Sequence, residues 1–141
     1  MNILIDTNIV LDFLLKRDPY IINAESIFKA CKEFRVYGFI AAHSIPDIFY
    51  IMRKCYTLYE LKQIIKLLTD FISVVNLTEG MILFALSDHN FSDFEDCLQA
   101  ECAQEINADY IITRNVKDFE FSKVKAIEPG VFIKEYLQEK I

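Results

Sequence analysis

The sequence predicts an α/β fold: a mostly parallel, twisted sheet of four to five strands with helices on both faces, formed as a single domain over residues 1–141. Three observations predict it. Short apolar runs without alternation, Ile3-Leu4-Ile5 and Tyr110-Ile111-Ile112, suit strands buried on both faces. Segments with helical apolar spacing separate such runs, and strands alternating with helices indicate parallel pairing. Hydrophobic residues make up 53% of the chain and only 3 Gly and 3 Pro interrupt them, which favours long regular elements over loops.

The first strand, Ile3 to Ile5, stops at Asp6, and a helix from Thr7 to about Leu15 follows at once with Ile9, Val10, Phe13 and Leu14 as its apolar positions. Lys16-Arg17-Asp18-Pro19 breaks it, with Asp18 as N-cap and Pro19 at the first position of a second helix that reaches about Phe34. Val36 to Ala42 carries the aromatic and β-branched residues of a second strand. Ser44-Ile45-Pro46-Asp47 opens a third helix through about Cys55. Thr57-Leu58-Tyr59-Glu60 is a capping box for a fourth, with Leu61, Ile64, Ile65 and Leu68 on one face.

Phe71 to Val75 reads as the third strand, and Thr78 starts a helix that ends near Asp88-His89-Asn90. Ser92-Asp93-Phe94-Glu95 has the form of a second capping box, opening a helix through about Ile106. Tyr110 to Ile112 is the fourth strand, followed directly by the polar segment Thr113 to Phe119. A short fifth strand is expected within Val124 to Ile127, and a terminal helix carries Phe132, Ile133, Tyr136 and Leu137.

Composition narrows the function. The four cysteines show no metal-ligand spacing and read as small core residues in a reducing cytoplasm. Asp6 interrupts the apolar start, so there is no secretory signal, and no run approaches membrane-spanning length. The net charge of −6 argues against a nucleic-acid partner as a sum, but its distribution is uneven. From Leu67 to Thr113 there are nine acids and no Lys or Arg; nine basic residues precede that stretch and six follow it. An acidic centre with basic flanks suits metal binding beside a phosphate-bearing substrate, and equally an ordinary solvated surface.

The residues that can carry chemistry lie after the strands. Asp6 ends the first strand, Asp47 follows the second, and Asn115 and Asp118 follow the fourth; Asp93 and Asp96 stand in the first turn of the helix before it. In open α/β sheets that carboxyl edge is where ligands bind. Carboxylates gathered there repel one another without cations, and hard oxygen ligands select Mg²⁺ or Mn²⁺. Each has a structural alternative. Asp6 and Asp93 suit helix N-termini, Asp47 fits a capping box with Ser44, and Asp118 suits a turn. Asp96 shares a face with Gln99, Ala100 and Ala103, a packed environment in which a carboxylate needs a partner. His43 and His89 are isolated, no G-x-S-x-G or Gly-rich phosphate loop is present, and the aromatic residues fall mostly at core periodicity.

Three segments, NILIDTNI from Asn2, DFEDCLQAECA from Asp93 and ADYIITRNVKDF from Ala108, together resemble the PIN-domain ribonucleases, most of all the small VapC-type toxins. The resemblance implies a Mg²⁺- or Mn²⁺-dependent endoribonuclease with a quartet of acids. Asp6 matches the first acid, with Thr7 and Asn8 supporting it. Asp47 stands where the family usually has Glu, and Asp96 matches the third acid. Many members have T-x-D after the fourth strand, where this chain has Thr113-Arg114-Asn115; Asp118 is the nearest carboxylate and Asp93 is auxiliary. Asp47 is one methylene shorter than Glu, and Asn115 removes a charge. On this reading Asp6, Asp96 and Asp118, helped by Asp47, hold one or two ions that polarise a water for in-line attack on a phosphodiester. Thr7 and Asn115 orient water or substrate, and Arg53, Lys54, Arg114 or Lys117 contact RNA phosphates. The family also implies a homodimer and an antitoxin protein that inhibits it. The alternatives are a non-catalytic PIN-like module for RNA or protein binding, and a haloacid-dehalogenase-type phosphatase. The phosphatase wants a second Asp where this chain has Asn8.

Overall fold

A computed structural model describes residues 1–138; residues 139–141, the end of the expected domain, lie outside it. The strands are β1 (Asn2–Ile5), β2 (Tyr37–Ala41), β3 (Ile72–Val75), β4 (Tyr110–Ile112) and β5 (Ala126–Ile127). They form one sheet in the order β3-β2-β1-β4-β5, and every pairing is parallel. The helices are α1 (Thr7–Leu14), α2 (Ile21–Lys32), α3 (Ser44–Met52), α4 (Leu58–Leu68), α5 (Glu79–Ser87), α6 (Phe94–Glu105) and α7 (Pro129–Phe132). A 3₁₀ turn covers Val116–Phe119, and Ile133–Leu137 continues α7 as a π-helical turn.

The continuous apolar strands are explained by what covers them. Ile3, Ile5 and Ile112 point to a core built with α1, α2, α3, α4 and α7, whereas Leu4 and Ile111 point to the opposite core, with Met81 of α5 and Ala100, Cys102 and Ala103 of α6. Side chains alternate between faces along a strand, and both faces here are apolar, so no alternation shows in the sequence. Gly38 lets β2 lie close beneath α2: a Cβ there would stand 2.6 Å from Ile72 Cδ1 and 2.7 Å from Cys31 Sγ.

Three helices end without glycine. Lys16, Phe34 and Asn107 take left-handed backbone angles (φ 52°, 55° and 50°) just past the C-caps of α1, α2 and α6. In each the following N–H reaches back to the carbonyl three positions before the cap: Arg17 to Asp12 at 3.0 Å, Arg35 to Ala30 at 2.9 Å, Ala108 to Ala103 at 3.0 Å. These are Schellman closures, which satisfy carbonyls the helix leaves free. The turn from α1 accordingly runs through Tyr20, and α2 begins at Ile21 with Tyr20 rather than Asp18 as its N-cap. The capping box at Thr57 and Glu60 forms as the sequence predicts. The aromatic residues depart from expectation. Phe28, Phe119 and Phe132 are buried, but Tyr20, Tyr37, Tyr50, Phe34, Phe94 and Phe121 are exposed. Among the described residues no helix is long and apolar enough to cross a membrane.

The strand order places a topological switch at β1. The chain moves from β1 through β2 to β3 on one side, then returns to add β4 and β5 on the other. The crevice at the carboxyl ends of β1 and β4 is where such sheets bind ligands.

Candidate active site

Asp6 stands in that crevice. Its N–H donates to the Ile112 carbonyl at 3.0 Å, extending the β1–β4 ladder by one residue, and its own carbonyl accepts from Ile9 and Val10 of α1. Its backbone is the N-cap of α1, but the carboxylate makes no cap bond. Instead Asp6 Oδ2 accepts from the Thr113 hydroxyl at 2.9 Å. Helix capping therefore does not account for this side chain. Burial holds its carboxyl above the usual range, against the opposing pull of the Thr113 bond and Arg114, while the Asp118 charge adds to the rise.

Thr113 also fixes the segment after β4. Its Oγ1 accepts from the Asn115 N–H at 3.0 Å, and Asn115 starts the 3₁₀ turn that carries Lys117 and Asp118. Beneath the crevice, Thr7 Oγ1 and Ser44 Oγ share a hydrogen bond of 2.7 Å, and the Gln99 amide donates to both at 3.1 and 2.9 Å. All three side chains are buried. One polar knot thus ties α1, α3 and α6 together below the acids. It also removes the structural explanation for Asp47: Ser44 is turned inward rather than capping α3, whose N-cap position is His43 without a side-chain bond. The second expected capping box gives way to a single cap bond one residue further on. Asp93, not Ser92, is the N-cap of α6, its Oδ1 accepting from the Asp96 N–H at 3.0 Å.

The result is a cleft of about 380 Å³ bordered by Asp6, Thr7, Asn8, Asp47, Tyr50, Asp93, Glu95, Asp96, Asn115 and Asp118. The sequence-predicted acids come together here from α1, α3, α6 and the 3₁₀ turn. Asp96 is pushed up to about 7 by burial and by the charges of Asp93, Asp6 and Asp118. Glu95 is also pushed up to about 7, by burial, by a hydrogen bond with Asp47, and by the charges of Asp47, Asp93 and Asp6. Glu95 is the acid that sequence reasoning missed, because its spacing from Ser92 made it look like a capping-box partner. Tyr50 was missed as well: it lies in the apolar stretch Ile48 to Met52, and only the fold shows that it is exposed at the cleft.

The four candidate cations are placed differently. Arg114 is engaged: its Nε and Nη2 donate to Asp12 at 2.9 and 3.3 Å, and its guanidinium lies 3.8 Å from the centre of the Tyr20 ring. Asp12, which sequence reasoning passed over, is fully buried in α1 and also faces Arg17 at 3.6 Å. Arg53 stacks 3.7 Å over Tyr50 and so stands at the cleft rim. Lys54 and Lys117 are exposed, the latter beside Asp118.

The donor chemistry, carboxylate oxygens from several segments facing one cleft, fits a hard divalent cation. Among the described residues, no three His, Cys, Asp or Glu side chains stand close enough together to enclose an ion as they are. The oxygens that would hold one therefore line the cleft without being gathered into a cage.

The sequence profile of the PIN domain matches residues 2–117, which includes every element from β1 into the 3₁₀ turn. The chain belongs to the PIN-domain family. No curated protein matches it. Several solved structures share the fold of this PIN domain. A toxin–antitoxin complex from Klebsiella pneumoniae aligns at 22% identity with a TM-score of 0.64, over 89% of this chain and 96% of that one. VapBC-1 from nontypeable Haemophilus influenzae aligns at 19% and 0.65, over 92% and 99%. VapBC2 from Rickettsia felis, bound to a DNA fragment from its promoter, aligns at 17% and 0.60, over 91% and 98%.

Proposed function

We propose that this PIN domain is a metal-dependent endoribonuclease and the toxin of a toxin–antitoxin pair. The observation that carries the proposal is the convergence of Asp6, Asp47, Glu95, Asp96 and Asp118 on one cleft at the switch point of the sheet. Carboxylates so crowded favour a counter-ion. Asp6 and Asp96, with Asp118 and Asp47 or Glu95, would hold Mg²⁺ or Mn²⁺, and the bound ion would supply Lewis-acid activation of water and charge stabilisation at the cleaved phosphodiester. Thr113 holds the Asp6 carboxylate in place through its hydroxyl, and the Thr7–Ser44–Gln99 knot fixes the helices that present the acids. On this reading Asn115 orients water or the strand, with Asn8 in the role expected of Thr7, whose hydroxyl is taken by Ser44 and Gln99, and Lys117, Arg53 and Lys54 meet RNA phosphates.

The toxin assignment rests on the fold shared with the toxin–antitoxin complexes. An apolar groove of about 500 Å³ between α1, α2 and α4, lined by Phe13, Phe28, Ile64, Leu67, Leu68 and Phe71, supports a partner protein. A homodimer and a cytoplasmic location are part of the same reading.

The test is cleavage of a structured RNA with and without Mg²⁺ or Mn²⁺, by the wild type and by Asp6→Asn and Asp96→Asn. Metal-dependent cleavage by the wild type, reduced at least 100-fold in both variants, is expected on the scale of losing a group that acts on the transition state. Equal activity in all three proteins refutes the assignment. A second reading, a non-catalytic module that binds RNA or protein, is favoured by Asn115 in place of an acid and by the absence of a preformed three-ligand group among the described residues. Calorimetry separates the two: no heat of Mn²⁺ binding at millimolar metal favours the module.

A further inference from the structure

A second cavity, of about 420 Å³, adjoins the acid cleft, and Asn115 borders both. Its walls are Tyr20, Asn23, Arg114 and Glu128, with Asp12 behind. We infer that this cavity is a nucleotide subsite: it receives one nucleotide of a single-stranded RNA immediately flanking the phosphate held over the acids, and it sets base preference there. The inference rests on the nuclease reading above.

Three features support a nucleotide as the occupant. The first is an available donor. Asp12 is paired with Arg114 at 2.9 Å and faces Arg17 at 3.6 Å, which fixes the Arg114 guanidinium in the cavity wall. Arg114 uses Nε and Nη2 for Asp12, while its Nη1 donates to no described residue. A guanidinium half-engaged by a buried acid is a rigid donor, and a phosphate is the group it suits best. The second is a planar platform. Tyr20 is 41% exposed and Arg114 stacks on its ring, and a stacked guanidinium–tyrosine pair is a surface on which a base can lie. The third is polar readout. The Asn23 and Asn115 amides offer donors and acceptors, and the exposed Glu128 carboxylate accepts only, which selects a base edge carrying an amino group. Glu128 is the N-cap of α7 but makes no side-chain cap bond, and Asn23 packs beside Gly130, so both face the cavity without another structural task.

The path is short. Arg114 directly follows Thr113, the residue that holds Asp6, and Asn115 directly follows Arg114. A strand whose phosphate sits over the acids therefore meets the cavity at Asn115, which borders both. A protein side chain could fill the same space, but it would leave the free Arg114 donors and the aromatic platform without the phosphate and flat ring they match.

The experiment compares wild type with Tyr20→Ala, Asn23→Ala and Glu128→Gln on single-stranded RNA oligonucleotides randomised at the positions flanking the cut. Arg114 is left in place because the fold depends on it. Each variant is expected to raise KM about 5- to 20-fold, the scale of losing one stacking or polar contact, with a much smaller fall in kcat. Glu128→Gln is expected to change the base preferred at one flanking position. A change in thermal midpoint without the KM effect, or unchanged KM and base preference in all three variants while wild type cleaves, overturns the subsite and leaves the nuclease assignment standing. If the wild type cleaves no RNA, the nuclease reading fails first and the subsite with it. Unchanged RNA kinetics together with weakened binding of a purified partner protein also overturn it, by assigning the cavity to that partner.

Discussion

Removing the guanidinium of Arg114 should destabilise the protein more than any single change at its surface. Asp12 is fully buried and accepts from Arg114 at 2.9 and 3.3 Å; its other cation, Arg17, is 3.6 Å away and lacks hydrogen-bond geometry. Breaking a buried pair by deleting one partner costs about 3–5 kcal/mol because the remaining charge is stranded away from water. Arg17 retains part of the compensation, which places Arg114→Met at the lower end, about 3 kcal/mol. Over 141 residues the entropy of unfolding is about 0.3 kcal/mol per kelvin, so the thermal midpoint should fall by about 10 °C. The assay is urea unfolding followed by circular dichroism, in which the midpoint drops at an unchanged m-value. The double variant Asp12→Leu/Arg114→Met removes both charges and should recover most of the loss, since apolar replacement of a buried pair is often neutral. A loss under 1 kcal/mol in Arg114→Met, or a double variant as weak as the sum of the two single ones, would refute the reasoning.

Thr113→Val keeps the shape but deletes the hydroxyl that donates to Asp6 and accepts from Asn115. It should lower Mn²⁺ affinity by about 10- to 100-fold, as loss of a ligand's supporting hydrogen bond does, and calorimetry reads this directly. The metal-free protein should lose stability as pH rises. Asp96 sits near 7 in the folded state against 3.8 as a free carboxyl, so its favourable contribution is complete below about pH 4 and lost as pH passes through 7. Allowing for solvent screening this amounts to on the order of 1–2 kcal/mol, and saturating Mg²⁺ should flatten the decline in calorimetric midpoint between pH 5 and 8. Gly38→Ala should cost about 1–3 kcal/mol by crowding Cys31 and Ile72, and Cys31→Ala in the same chain should restore part of it in denaturant titrations. A neutral Gly38→Ala would mean that α2 is not held as close to β2 as the structure shows.

The fold was legible because its signals are local. Apolar runs marked the strands, the Thr57–Glu60 box marked a helix start, and the abrupt end of β1 at Asp6 marked the sheet edge. The acids of the cleft were legible for the same reason, each following a strand or opening a helix. What stayed hidden depends on partners distant in sequence. Asp12 shows in the chain only as one carboxylate in the apolar run Ile9 to Leu15; its partner Arg114 lies 102 residues away, and nothing near Arg114 in sequence shows that two of its nitrogens meet a buried acid. Ser44 and Gln99 fit local roles, a cap and a small-residue helix face, until the fold brings them against Thr7. Ser92 and Asp93 are both good N-caps, and only the geometry of the first turn of α6 decides between them and sends Glu95 to the cleft. The exposed rings follow from the same limit, since periodicity does not tell a face that meets the sheet from one that meets solvent.

The most direct measurement of the central claim is the anomalous scattering of Mn²⁺ in crystals grown with the metal. A peak bonded to carboxylate oxygens of Asp6 and Asp96 in the cleft, absent from crystals of Asp96→Asn, is the predicted result. A cleft without a peak at saturating Mn²⁺, in crystals that diffract well enough to show one, would contradict it.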